Sequence, residues 1–101
     1  MKVNIFPEQI ITFKLNSGEE LVAKVKEVTE DMLSIENPVS IAPGPQGMAL
    51  VPSLFTADIE QEIKLNTNSI AIYGLTDESV TTKYIEATTG IKLPEKKLIL
   101  G

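Results

Sequence analysis

A chain of 101 residues has room for one domain around one core. Its 43% hydrophobic and 23% charged residues set it apart from disordered chains, and the absence of cysteine excludes disulfides and thiolate metal sites. Nine basic residues, all lysine, oppose fourteen acidic ones for a net charge of −5, the reverse of what a generic duplex binder needs to neutralise phosphates.

Residues 1–9, "MKVNIFPEQ", have no apolar run long enough for the core of a secretory signal. No stretch approaches the ~20 apolar residues that cross a bilayer. The expectation is a soluble, cytoplasmic protein with no membrane partner, opening on a short N-terminal extension. In "IITFKLN" (10–16), Ile11, Phe13 and Leu15 alternate with Thr12, Lys14 and Asn16, the period of a half-buried strand. "NSG" supplies turn chemistry, with Gly18 free to take a positive φ. From Glu20 to Val28, Leu21, Ala23 and Val25 face inward and Lys24 and Lys26 outward. Ala23 is a small residue in mid-strand, where a sheet can bend sharply enough to close as a barrel.

"MLSIENPVSIA" continues the meander, with Leu33, Ile35, Val39 and Ile41 on one parity and Pro38 marking an edge or a bulge. "PGPQG" (43–47) is a turn or loop, and "MALVPSLFTA" reads as a fourth strand with a second proline, Pro52. Two prolines flanking one loop predict a protruding hairpin whose arms are incompletely laddered. "EIKL", "NTNS" and "IAIYGL" read as a short strand, a turn and a last strand.

The period then changes. Val80, Tyr84, Ala87 and Ile91 fall on one face of a helix predicted within residues 76–91, with Thr76 or Asp77 as N-cap and Gly90 at its C-terminal end. Residues 92–101 form a tail whose Leu98, Ile99 and Leu100 can pack on a neighbour.

Chemistry is sparse. With neither histidine nor cysteine, Ser-His-Asp and Cys-His catalysis and histidine-ligated zinc are ruled out, and no phosphate-binding glycine loop occurs. Asp58, Glu60 and Glu62 offer alternate carboxylates for a hard cation, although a solvated loop has the same pattern. Lys24 and Lys26 read as the wet face of a sheet balanced by Glu20, Glu27 and Glu36. Tyr73 and Tyr84 are better placed in a core than as stacking platforms for bases. No enzymatic activity and no cofactor is expected.

"FKLNSGEELVAKVKEV" resembles the opening of the first Sm motif, with Leu21 and Ala23 where that family bends its second strand and Ala23 in place of its common glycine. "IKLNTNSIAIYGL" resembles the second Sm motif. Together with "SGEE", "ENPV" and "YIEATTGI", these segments resemble the Sm-like proteins of tailed marine phages, over about residues 10–91. The resemblance implies a mainly β fold, a small SH3-like barrel of five bent antiparallel strands over residues 10–75, followed here by the helix that familiar members place first. It also implies a homo-oligomeric ring of about five to seven subunits joined through the edges of the last two barrel strands.

RNA-binding members carry Asp-x-x-x-Asn after the second strand and Arg-Gly in the second motif. Here Asp31 matches only with an extra residue, and Asn66 and Thr67 stand at the Arg-Gly place. The resemblance thus implies contacts with RNA or single-stranded DNA from Asp31, Ser34, Lys64, Asn66 and Asn68. The acidic charge and absence of arginine favour a second expectation, a structural or adaptor module using the same ring without nucleic acid.

Overall fold

The computed structural model describes residues 4–45 and 47–89. Six strands and one helix follow in order: β1 (Ile10–Leu15), β2 (Glu20–Val28), β3 (Met32–Gly44), β4 (Gly47–Pro52), β5 (Ile63–Asn66), β6 (Ile70–Leu75) and α1 (Glu78–Thr88). Each ladder is antiparallel, and the strands run β4-β3-β2-β1-β6 with β5 also on β3. The long β3 therefore carries β2 on one edge and both β5 and β4 on the other. In the row β6-β1-β2-β3-β5, the two terminal strands are consecutive in sequence, joined by the three-residue 3-10 turn Thr67–Ser69. A row whose ends are tied this closely curls on itself, and the result is a small β-barrel-like domain. The expected five strands build it; β4 is a sixth, extending β3 as a hairpin.

Bulges supply the curvature. Between the pairs Lys24↔Glu36 and Val22↔Val39, β3 holds one residue more than β2. The extra residue falls at Asn37-Pro38, where Asn37 takes φ 49° and Pro38 has no N–H to give. A second shift adds a residue to β2 at Lys26, and a third occurs where β6 meets the end of β1. Ala23 sits at the first bend, fully buried, as its size predicts.

The bulge corrects one expectation. One inserted residue exchanges the two faces of a strand. Leu33 and Ile35 point into the barrel, whereas Val39 and Ile41, of the same sequence parity, lie on its outer face with Val22 and Tyr84. The barrel core gathers Ile5, Ile11, Phe13, Leu21, Ala23, Val25, Leu33, Ile35 and Ile70. The hairpin expectation is corrected too: β3 and β4 ladder continuously from Val39↔Pro52 to Gly44↔Gly47, because β4 is an edge strand, where Pro52 can turn its missing donor to solvent.

Asp77 caps α1 by accepting from the Ser79 amide at 3.1 Å; the Ser79 hydroxyl first, and that amide after it, hold its carboxyl below the usual range. The helix lies on the outer face of the sheet, not on the barrel mouth. Val80 and Tyr84 face inward as predicted, but Ala87 is exposed; Gly90, Ile91 and the tail lie outside the described residues. Tyr84, only 2% exposed, closes the gap left by the bulge. Its Oη accepts from the Lys24 amide at 3.1 Å and donates to the Glu36 carbonyl at 2.8 Å, two main-chain groups the broken ladder leaves unpaired.

The N-terminal extension is also structural. Ile5, 4% exposed, joins the barrel core from outside any strand, and Asn4 donates its amide to the Tyr73 hydroxyl at 2.9 Å. Glu8 (φ 73°) turns the chain into β1, donates its amide to the Val25 carbonyl at 2.7 Å, and places its carboxylate 2.7 Å from Lys26 and 3.3 Å from Lys24. Glu8, not Glu20, Glu27 or Glu36, is thus the ion-pair partner of this lysine pair. Hydrogen bonds from Lys26 and then Lys24 hold the Glu8 carboxyl below its ordinary 4.5, and Glu8 raises Lys26 above its ordinary 10.5.

A carboxylate with a depressed folded-state pKa stabilises the fold above its unfolded value and ceases to as pH falls through the folded one. Replacing Glu8→Gln should therefore lower the midpoint of urea denaturation slightly at pH 7. The difference from the parent chain should fade below about pH 4.5 and in high salt. On the alkaline side, the raised Lys26 keeps its contribution below pH 10.5 and loses it above.

Candidate functional site

The five residues expected to contact nucleic acid are brought together along the start of β3, β5 and the 3-10 turn. Met32 pairs with Asn66 and Ser34 with Lys64 across the β3–β5 ladder. The turn is pinned on two sides. Thr67, fully buried, donates its amide at 2.9 Å and its hydroxyl at 3.0 Å to the Asp31 carbonyl, and Asn16 Nδ2 donates to the Asn68 carbonyl at 2.8 Å. The Asp31 main chain is therefore a structural anchor while its side chain stands in solvent.

Most of the polar groups are already spent. Asn66 caps the 3-10 turn, its Oδ1 accepting from the Asn68 amide at 2.8 Å. The buried Ser34 donates its hydroxyl to Glu62, whose carboxylate lies 3.5 Å from Lys64 Nζ. The Ser34 bond first, and the Lys64 charge after it, hold the Glu62 carboxyl below its ordinary range, so Lys64 faces a firmly ionised partner. The strip carries the carboxylates of Asp31 and Glu62 and the single ammonium of Lys64.

A neighbouring cleft of about 420 Å³ repeats this balance, with Lys26 among Glu27, Glu36, Glu60 and Glu62. A phosphodiester approaching either place meets net negative charge. The third acidic group does not assemble: Asp58 Oδ1 accepts from the Glu60 amide at 3.0 Å, Glu62 turns to Ser34, and no metal-holding group of acidic side chains forms among the described residues. Tyr84 is buried in the packing, and Tyr73 packs half-buried against the barrel core.

Sequence reasoning missed the apolar surface. Among the described residues, no strand pairs with the outer edges of β4, β5 or β6. On β6, Ile72 is 66% and Leu75 72% exposed, although both belong to an almost wholly apolar strand. With Ile41, Met48 and Val80 they line an open groove of about 550 Å³. Leu54 and Phe55, read as part of the fourth strand, instead stand exposed on the loop between β4 and β5. The available signal was composition, since "IAIYGL" offers no polar group beyond the Tyr73 hydroxyl to a wet face.

Among the described residues no helix is long and apolar enough to cross a membrane. No family model matches the chain, and no curated protein is significantly similar to it.

Proposed function

We propose that this chain is a non-enzymatic, self-assembling module that forms a homo-oligomeric ring through the edges of β5 and β6 and acts as a structural or adaptor component. The observation that carries this reading is the β6 edge, unpaired among the described residues, with Ile72 and Leu75 exposed on that strand. Folded monomers cover or charge such edges, and an uncovered apolar one is a pairing surface. The β5 and β6 edges differ in length and sequence, so their pairing is head-to-tail, which closes into a ring when the rotation permits. Native mass spectrometry tests closure: one dominant oligomer supports it, and a continuous ladder of species contradicts it.

A second reading, binding of RNA or single-stranded DNA, draws on the juxtaposition of Asp31, Ser34, Lys64, Asn66 and Asn68. The net acidity of that strip argues against it. Oligo-U, oligo-A and single-stranded DNA titrated at low salt, where electrostatic attraction is greatest, should show no affinity tighter than micromolar. Tight, salt-sensitive binding abolished by Lys64→Gln would reverse the choice.

A further inference from the structure

We infer that the groove on the outer face of the sheet is the seat of this chain's own tail, residues 90–101. Leu98, Ile99 and Leu100 fill its apolar part, and Lys96 and Lys97 meet its carboxylates. The groove, of about 550 Å³, is lined by Val22, Ile41, Met48, Ile72, Leu75 and Val80. Its charges are one cation, Lys14, and two carboxylates, Glu20 and Asp77. Asp77 stays ionised as the helix cap, with the Ser79 hydroxyl and amide bonded to it. An apolar groove of net negative charge matches an occupant that is both apolar and cationic.

The tail has that character and the other candidate segments of the chain do not. "GIKLPEKKLILG" sets Lys92, Lys96 and Lys97 against Glu95 alone, and three aliphatic residues follow the lysine pair directly. The loop from residue 53 to residue 62 offers Leu54 and Phe55, but its charges are Asp58, Glu60 and Glu62, the sign of the groove itself. Residues 1–3 bring one lysine and only two apolar side chains.

Reach favours the same copy. Val80 lines the groove from the first turns of α1, and the helix carries the chain only about 12 Å further to Thr88. The ten residues from Thr89 to Leu98 span up to about 33 Å, more than twice the return distance. Gly90, just past the C-cap Thr89, is the residue type that lets a chain turn back at that position. Ile72 and Leu75 bound the groove on the side of the β6 edge, whose main-chain groups the tail leaves to a neighbouring copy. The contact therefore goes beyond the ring reading and does not rest on it.

The chain contains no cysteine, so a full-length Met48→Cys, Ile99→Cys variant carries one thiol pair, with one member in the groove and one in the tail. Mild oxidation should close a disulfide within one chain at least about fivefold faster than in a Phe55→Cys, Ile99→Cys variant. Phe55 is as exposed as Met48 but does not line the groove. Adding Lys96→Glu and Lys97→Glu should slow closure about threefold at low salt, and less at high salt. Equal rates for the two thiol pairs, or closure indifferent to the charge reversal, overturn the assignment. A disulfide found only between two chains overturns it in favour of a neighbour's groove. Closure within one chain is read in monomer and oligomer alike, so a monomeric parent chain removes the ring reading and leaves the tail contact standing.

Discussion

Truncating Tyr84→Ala should lower folding stability by about 4–5 kcal/mol, and Tyr84→Phe by about 2 kcal/mol. Alanine removes a buried ring that packs Val22 and Val39, and with it the hydroxyl that completes the β2–β3 ladder. Phenylalanine keeps the ring and isolates the second contribution: the Lys24 amide and the Glu36 carbonyl lose their common partner at a partly buried position. Against a total of roughly 5–15 kcal/mol for a domain of this size, the alanine variant stands near unfolding, so the phenylalanine variant gives the cleaner reading. Urea denaturation measures both, as a lower midpoint at unchanged slope.

Alkaline pH supplies a second readout. Burial pushes the Tyr84 hydroxyl up from 10.0 to about 12. A group whose folded-state pKa is raised gives its full contribution below the unfolded value and loses it as pH rises through the folded one. The parent chain should therefore lose stability between pH 10 and 12 more steeply than Tyr84→Phe, which has no proton to release there.

The second large effect lies outside every strand and helix. Ile5→Ala should cost about 2–4 kcal/mol, as much as a truncation inside the barrel, because Ile5 is a member of the barrel core. Phe6, its exposed neighbour, provides the internal control, and Phe6→Ala should change stability by less than about 0.5 kcal/mol. Equal effects at the two positions would mean that the extension does not plug the barrel. Thermal or urea denaturation of the two variants decides it.

These two residues also show where the sequence was legible. Strict alternation in β1 and β2 put Ile11, Phe13, Leu21 and Val25 in the core at sight, and the small Ala23 marked the bend. Period is a local signal, and it reports faithfully wherever the ladder is regular. It failed at Asn37-Pro38, where one inserted residue turned Val39 and Ile41 to the outer face; the proline announced an irregularity but not its sense. Ile5 was invisible for a related reason. A single apolar residue in a short extension has no period, and its burial depends on a barrel end that exists only after folding.

The candidate site divides in the same way. The turn residues Asn66 and Asn68 and the strand residues Ser34 and Lys64 did come together, since ladder pairing follows from the strand plan. What each side chain bonds was not legible. Ser34 to Glu62, Lys26 to Glu8, and Tyr84 to Lys24 and Glu36 are contacts between segments distant in sequence. Glu8 beside Lys24 and Lys26, and Glu62 beside Lys64, neutralise the lysines that a nucleic-acid site would need. The apolar run "MALVPSLF" misled in the opposite direction: hydrophobicity continuing beyond Pro52 belongs to exposed loop positions, not to a longer strand.

The exposed apolar side chains of one copy lie on β6 and on the loop after β4, and the proposed assembly would cover them. Light scattering coupled to size exclusion, run over a hundredfold range of concentration, tests that claim most directly. Edge-to-edge assembly predicts a mass that holds at about five to seven times the 11.0 kDa of one chain. A mass of one chain at every concentration would contradict it.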